Sequence, residues 1–467
     1  MSLTGPELLL DLDGGQGGRR DRLEAALRAA IRQGRLRPGD RLPATRALAA
    51  ELGCSRWVVV EAYEQLAAEG WIEGRAGSGT RVRPERPVSE VSPPSPARRR
   101  PRAPAYAFTL GVPDLVAFPR AAWLRAMQRA VRHAPAGELG HGDPRGAREL
   151  RAELAAYAGR VRGVIAQRRD VVVTHGFTHG LGLVCHALRD AGHTHIAVED
   201  PGFPLVHAFV RRAGLEAVPV SVDEDGISVD DLIASGVRAA VVTPAHQFPL
   251  GHVLAAERRA ELLAWAREVD GLIVEDDYDA EFRYDRRPVG ALQGLAPEHV
   301  VYAGSASKSL APGLRLGWMV TPRRWTAAVA DVRWGIDLGV GVLDQLALAE
   351  LLRSGGLDRH LRATRRTYAA RRRAMLDALA RDLPDARVTG VAAGLHVVVL
   401  LGDDVDEGAV VAAAADRDVD VTGLSTLYRR ATPPAPGVVL GYAPLSEHAI
   451  AEGVRRLGDA VSVLATR

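Results

Sequence analysis

Lys308 is the only lysine among 60 Lys and Arg residues; the other 59 basic positions are all arginine. Every site where a plain positive charge is enough has become arginine, and this one has not. An arginine cannot be deprotonated in a protein, whereas a lysine amine can lose its proton and attack a carbonyl carbon to form a Schiff base. Ser305 and Ser307 precede it closely, and Arg315 follows seven residues later. About thirty residues upstream, Glu275-Asp276-Asp277-Tyr278-Asp279-Ala280-Glu281 crowds carboxylates and a tyrosine behind an apolar run. Such crowding is costly unless a cation or a protonated ring receives one of the acids. Alone, the run is compatible with a magnesium site or a solvated turn. With the lone lysine, the simplest shared purpose is a pyridinium nitrogen for an acid, a ring phenolate for the tyrosine and an aldehyde for Lys308.

These residues need elements to hold them. From about Tyr106 onward the chain alternates strand-like and helical segments, the pattern of an α/β body with a mostly parallel sheet. Strands are expected at 170–174, 195–199, 239–243, 272–275, 300–303 and 316–320, and in such folds ligands gather at the carboxyl ends of strands. Gly176-Phe177-Thr178 leaves the first of these and opens a helix with free amides, the requirement for a phosphate cradle. His175 and His179 have the i, i+4 spacing of metal ligands, but no neighbouring Cys or carboxylate in the sequence completes a set, so no metal is expected. Phe203, after Glu199-Asp200-Pro201-Gly202, can cover a flat ring or fill the core. His246 and Gln247 sit in a turn-rich loop and can orient a ligand.

The 467 residues exceed what one core supports. With 47% hydrophobic and 25% charged residues the composition is that of a globular protein, without an apolar run of membrane-spanning length. No secretion signal is read at the N-terminus, and a cytoplasmic location is expected. Cys54 and Cys185, far apart in sequence, fit reduced thiols. The net charge of +3 is uneven: residues 1–102 hold 18 arginines against 13 acids, a net of +5, leaving about −2 for the rest. The basic end is the candidate for a polyanion partner.

That end divides into helices at 19–33, 45–52 and 56–69. Leu23, Ala26, Leu27, Ala30 and Ile31 face inward on the first, and Val59, Ala62, Tyr63 and Leu66 on the third. Thr45 and Ser55 are expected caps, with Gly53 ending the second helix and Gly70 the third. Ser55, Arg56 and Trp57 face outward at the start of the third helix, as on a recognition helix entering a major groove. Two short strands, 71–74 and 80–83, follow, joined by the basic tip 75–79. This is a winged helix-turn-helix. Residues 84–105, with seven prolines and Arg98-Arg99-Arg100, read as a linker able to span on the order of 60 Å at about 3.1 Å per residue.

Residues 19–83 resemble the GntR DNA-binding domain through Gly34-x-Leu36-x-Pro38-Gly39, Leu42-Pro43-x-x-Arg46-x-Leu48-Ala49, Leu52-Gly53-x-Ser55-Arg56 and Gly77-Ser78-Gly79-Thr80. The resemblance implies double-stranded DNA as partner, touched by Arg41, Thr45, Arg46, Ser55, Arg56, Gly77, Ser78 and Gly79. Ser305-x-Ser307-Lys308, Arg315 and Asp276-x-Tyr278 are similar to fold-type I transferases dependent on pyridoxal 5'-phosphate (PLP), and head and body together resemble the MocR family of regulators. The implied architecture is a winged helix-turn-helix at 1–83, a linker at 84–105 and an α/β body at 106–467 with large and small subdomains. By the resemblance, Lys308 forms the Schiff base with PLP, Asp276 pairs with the pyridine nitrogen and Tyr278 binds the ring hydroxyl. Ser305, Ser307, Arg315, Gly176, Phe177 and Thr178 hold the phosphate, and Phe203 lies near the ring. A head-to-tail homodimer is also implied.

The departures bear on function. Aminotransferases place a carboxylate-binding arginine two residues before the glycine of a late strand, where this chain has Val439; amino-acid-sensing relatives carry another where it has Leu205. A Tyr-Gly-Asp-Pro pattern has become His141-Gly142-Asp143-Pro144, and an Asn-Pro has become Phe248-Pro249. Arg429 or Arg430 remains as a substitute clamp. Losing a guanidinium clamp removes charge-assisted hydrogen bonds of roughly 1.5–3 kcal/mol each. The expectation is a DNA-binding regulator with weak or absent transaminase activity, whose effector is PLP itself. The alternatives are a regulator sensing an amino acid or amine through PLP, and a working aminotransferase tethered to DNA.

Overall fold

The computed structural model describes residues 17–75, 79–83, 104–284, 289–429 and 435–465. The chain divides into two compact units, Met1–Pro101 and Arg102–Arg467. Most of the expected linker (84–103), Gly77 and Ser78 of the wing tip, and Arg430 lie outside the described residues.

In the first unit three helices, α1 (Arg19–Arg32), α2 (Thr45–Glu51) and α3 (Arg56–Ala68), precede a hairpin of β1 (Ile72–Arg75) and β2 (Gly79–Val82). Leu23, Leu27, Leu48, Val59, Leu66 and Ile72 form its core. The expected inner face of α3 is the observed one. On α1, Ala26 is half-buried and Glu24 is buried instead, which its 2.9 Å ion pair with Arg28 makes tolerable. The expected caps need correction. Ala44, not Thr45, precedes α2, and Thr45 is its first helical residue; Ser55 stands at the start of α3 but its side chain makes no capping bond. Gly53 and Gly70 adopt positive φ (57° and 83°) after α2 and α3, a conformation that a Cβ disfavours. The hairpin pairs Ile72 with Val82 and Arg75 with Gly79, so its strands reach further into the tip than expected.

The second unit contains β3 (Tyr106–Ala107), β4 (Val171–Thr174), β5 (His195–Asp200), β6 (Glu216–Asp223), β7 (Gly226–Ile227), β8 (Ala239–Val242), β9 (Leu272–Asp276), β10 (Val300–Ser305), β11 (Gly317–Val320), β12 (Arg387–Thr389), β13 (His396–Leu400), β14 (Val419–Asp420), β15 (Thr422–Gly423) and β16 (Gly437–Gly441). Eight of them form one sheet in the order β4-β11-β10-β9-β8-β5-β6-β7. The run from β10 to β6 is parallel, while β11 is antiparallel to both β10 and β4. Neighbours such as Ile273 and Val274 enter apolar clusters on opposite faces, as strand geometry requires. A smaller antiparallel sheet, β12-β13-β16-β15, forms the second subdomain, and the long helices Gly356–Asp382 and Glu447–Ala465 pack together beside it.

All six strands read from the sequence are present, with ends shifted by one or two residues. β6 was not anticipated: it is only partly buried and carries Pro219, which weakens its strand signature. The topology places the carboxyl ends of β4, β10, β9, β8 and β5 on one edge of the large sheet. Because β11 runs the other way, its first residue, Gly317, arrives at the same edge beside Thr174 and Ser305.

Candidate functional site

Lys308 lies in the short helix Ala306–Ser309, directly after β10. Its Nζ donates a 2.6 Å hydrogen bond to the Gly111 carbonyl. Burial lowers its pKa from the usual lysine value, opposed by the nearby charges of Asp276 and Asp279. That shift favours the nucleophilic amine. Gly111 belongs to the opening segment of the body, and at φ +67° a side chain on it would be strained and its Cβ would stand 2.9 Å from Nζ, displacing the amine.

A cradle lies next to the lysine. Gly176 precedes the helix Phe177–Asp190, whose first amides are unpaired within the helix. Gly317 passes so close that a Cβ on it would be 2.6 Å from the Gly176 Cα. The loop between β10 and β11 carries Arg315 in a left-handed conformation, φ 51°, and its guanidinium lies 3.8 Å from where a Cβ on Gly176 would be. The Arg315 side chain makes no ion pair or hydrogen bond among the described residues. Ser305 caps the lysine's helix, accepting from the Ser307 amide at 3.1 Å and donating to the Ser307 hydroxyl at 2.8 Å. A helix N-terminus, two hydroxyls and an unpaired guanidinium form an arrangement suited to a phosphate.

The crowded carboxylates separate once their partners are seen. Glu275 accepts from the Leu292 and Gln293 amides at 2.9 and 3.1 Å. Asp277 is gripped by Arg162 at 2.7 and 3.1 Å and by the Tyr302 hydroxyl at 2.7 Å. Glu281 accepts from the Tyr157 hydroxyl at 3.2 Å, and Asp279 pairs with His246 Nδ1 at 2.9 Å. Asp276, the last residue of β9, lines a cavity with Phe177, Phe203, Thr243 and Phe248. Burial and the charge of Asp277 raise its pKa well above the usual carboxylate range, opposed by Lys308. A carboxyl in that setting favours a proton or a cationic ring nitrogen as its partner.

Aromatic groups surround this acid. Phe203, 39% exposed, meets Phe248 edge-on with centroids 6.1 Å apart, and Phe248 meets Tyr278 edge-on at 6.2 Å. The Tyr278 hydroxyl lies 3.1 Å from His246 Nδ1, which also faces Asp279. His396, 5.3 Å from His246 between ring centroids, has its pKa pushed down to about 4 by burial and by His246. The sequence named His246 only as an orienting residue and did not reveal Asp279 or His396 as its neighbours.

Buried Glu199, which lines the same cavity, accepts from the Thr243 amide at 3.0 Å, from the Thr243 hydroxyl, and from Gln247 Nε2 at 3.3 Å. Burial pushes its pKa up to about 7, only partly offset by these bonds. The folded state then keeps a proton that the unfolded chain releases near 4.5, so this group's contribution to stability falls as pH rises from about 4.5 to 7. Glu199→Gln is expected to flatten that fall, which thermal unfolding measured across the same range will show.

One expectation about His175 and His179 needs revision. A carboxylate does join them: Asp337 Oδ2 lies 3.4 Å from His175 Nε2 and 3.1 Å from His179 Nε2. It comes from a distant part of the chain, which spacing cannot reveal. No metal-binding cluster is found among the described residues; burial pushes the His179 pKa down to about 4, and Arg333 holds the other Asp337 oxygen at 3.1 Å.

The clamp positions hold apolar side chains. Val439, in β16, is buried in a cluster with Val398, Leu424 and Leu427, against which Leu110 and Phe248 pack. Leu205 is exposed at the start of the helix Leu205–Arg212. The Arg429 guanidinium bonds the Pro204 carbonyl at 3.2 Å, and its amide bonds Asp200 at 2.7 Å.

In the first unit Arg41, Arg46, Ser55, Arg56 and Trp57 are exposed, Trp57 by 64%. Gly79, at φ +85°, lets the Arg41 guanidinium lie against the wing, where a Cβ would approach it to 2.9 Å. Thr45 is half-buried at the first turn of α2.

Comparisons with known proteins agree with both halves. Residues 19–82 match the family described as bacterial regulatory proteins, gntR family, and residues 110–431 match aminotransferase class I and II. The chain is 35% identical over 445 residues to the HTH-type pyridoxine biosynthesis transcriptional regulator PdxR of Corynebacterium glutamicum, covering 94% of this chain and 95% of that one. It is 33% identical over 458 residues to the probable rhizopine catabolism regulatory protein MocR of Rhizobium meliloti, covering 94% and 92%. Among solved structures it resembles the α-aminoadipate aminotransferase LysN of Thermus thermophilus, complexed with N-(5'-phosphopyridoxyl)-L-leucine, with TM-score 0.69 and 27% identity over 77% of this chain and 93% of that one.

Proposed function

The chain belongs to the MocR family of transcriptional regulators, in which a GntR head is joined to an aminotransferase-like body, and on that premise we propose that PLP is itself the signal this regulator reads. The body has the fold of the PLP-binding class I and II aminotransferases. The observation that carries the proposal is Val439: where the family resemblance calls for an arginine, a buried valine packs in an apolar cluster beside Leu110, next to the Gly111 carbonyl that binds Lys308. The groups suited to the cofactor are together, and the guanidinium that would hold a substrate carboxylate is replaced by hydrocarbon. The similarity to a regulator of pyridoxine biosynthesis adds support.

When bound, PLP supplies an aldehyde that a deprotonated amine can attack. Burial favours the neutral amine of Lys308, and the Gly111 carbonyl orients its nitrogen. Arg315, Ser305, Ser307 and the amides from Gly176 to Thr178 would hold the phosphate. Asp276 would face the ring nitrogen, and Phe203 would cover the ring and limit access of water. The Tyr278 hydroxyl would face the ring oxygen, with the His246–Asp279 pair able to keep a proton near it. Such capture biases the molecule between DNA-binding geometries only if PLP favours one of them.

The test titrates purified protein with PLP, and separately with amino acids and simple amines, while following both operator affinity and the visible band of the bound cofactor. PLP is expected to change operator binding, and amino acids are expected neither to change it nor to shift the band. An amine that alters operator binding where PLP does not would make PLP cofactor and not signal. Release of keto acid at useful rates would make the body an enzyme.

The reading extends to a head-to-tail homodimer in the cytoplasm. Leu115, Val116, Leu124, Val131 and Leu139 are each exposed by 47% or more over a short stretch of chain, a concentration of apolar surface that a second copy would cover. For DNA, Arg56→Ala is expected to weaken operator binding by about 1–3 kcal/mol and relax sequence preference at one position. Equal losses on operator and random DNA, in competition titrations, would assign Arg56 to phosphate instead.

A further inference from the structure

The helix Gly356–Asp382 holds eight arginines against three aspartates in its 27 residues, a net of +5 in a body whose total is about −2. Arg359, Arg362, Arg366 and Arg373 are exposed along it. At 3.6 residues per turn they fall within about 60° of one another around the axis and extend over about 21 Å. The side chains of Arg362, Arg366 and Arg373 make no ion pair or hydrogen bond among the described residues. Some exposed arginines elsewhere on this surface find a carboxylate, as Arg353 does with Glu153 at 3.0 Å and Arg455 with Glu452 at 2.8 Å, and others, such as Arg211 and Arg212, find none among the described residues; what sets this helix apart is the alignment of its unpaired guanidinium groups along one face. The stripe is also continued beyond its helix. A cavity of about 420 Å³ lined by Arg160, Arg283, Arg362 and Arg365 opens beside its first half. The acids at that cavity are already engaged: Asp358 with Arg160 at 2.9 Å, and Glu281 with Tyr157.

We propose that this stripe is a second DNA contact, through which the body holds the phosphate backbone of duplex flanking the site read by the head. Guanidinium groups pair with phosphate oxygens in bidentate fashion, and an unpaired row of them on one helix face fits a row of phosphates. The stripe is about six base pairs long on the scale of B-DNA, at about 3.4 Å per pair. The occupant is DNA and not an acidic protein because the same chain carries a DNA-binding head, which supplies that polyanion at high local concentration. The inference rests on the head binding DNA, but not on PLP being the signal.

The experiment uses the full chain carrying Arg362→Gln, Arg366→Gln and Arg373→Gln, with two duplexes: one covering the head's footprint alone, the other extended by flanking sequence on both sides. Each phosphate contact contributes about 0.9 to the slope of log affinity against log salt. On the extended duplex the variant is expected to lose about 2 to 3 from that slope and at least about tenfold in affinity. On the short duplex it should match wild type. An unchanged slope on the extended duplex overturns the proposal, and so does an equal loss on both duplexes. If the triple variant does not fold by thermal unfolding, hydrogen exchange of wild-type residues 359–373 decides: protection by the extended duplex and not by the short one supports the contact, and its absence overturns it. Failure of the head itself would instead appear as indifference of short-duplex binding to Arg56→Ala.

Discussion

Lys308→Ala is expected to abolish the visible absorption band of the bound cofactor and, with it, every change in operator affinity that added PLP produces in the wild-type protein. Alanine keeps the backbone of the short helix after β10, whose cap is supplied by Ser305 and not by the lysine. The cradle of Gly176, Ser305, Ser307 and Arg315 is untouched, so PLP can still enter by its phosphate. Only covalent capture is lost. The measurement pairs absorption spectra with operator titrations at increasing PLP. A variant that responds to PLP as wild type does would place the signal in phosphate binding alone and end the role proposed for the lysine.

Arg315→Ala tests the other end of the ligand. Its guanidinium is the unpaired cation at the cradle, where the Gly176 turn brings amides but no full charge. Removing it deletes charge-assisted hydrogen bonds of roughly 1.5–3 kcal/mol each. PLP affinity should therefore fall by about tenfold to a hundredfold or more. The visible band should still form at high PLP, because Lys308 remains. Equilibrium titration followed by that band separates the two variants: a weaker curve of normal amplitude for Arg315→Ala, and no band for Lys308→Ala. An unchanged affinity would show that Arg315 does not hold the phosphate.

Much of this site was legible in the sequence because its chemistry depends on residue types with few substitutes. One lysine among arginines, a glycine turn opening a helix, and acids behind an apolar strand each carry a cost that only a function offsets. The inner face of α3 was equally clear, since a 3.6-residue period survives in any surroundings. What could not be read was partnership across long stretches of chain. Glu275, Asp277, Asp279 and Glu281 look alike in sequence, and only the Leu292 and Gln293 amides with Arg162, Tyr302, His246 and Tyr157, brought in by other elements, set Asp276 apart as the acid facing the cavity. Asp337 joining His175 and His179, and Gly111 joining Lys308, are hidden for the same reason. The caps failed differently. Thr45 and Ser55 have the right chemistry at nearly the right place, yet α2 begins one residue early and Ser55 leaves the amides of α3 without its side chain.

The solitary lysine also makes this chain unusual as a substrate for proteolysis. An endoproteinase that cleaves only after lysine has one peptide bond to find in 467 residues, and that bond lies between Lys308 and Ser309, where the lysine is half-buried and the serine buried. Cleavage into 1–308 and 309–467 would therefore require the site to open locally, and a lysine engaged through its Nζ would not be recognised. The rate at which the intact band fades on a gel then reports how readily that site opens, with no label added and no other cut to confuse it.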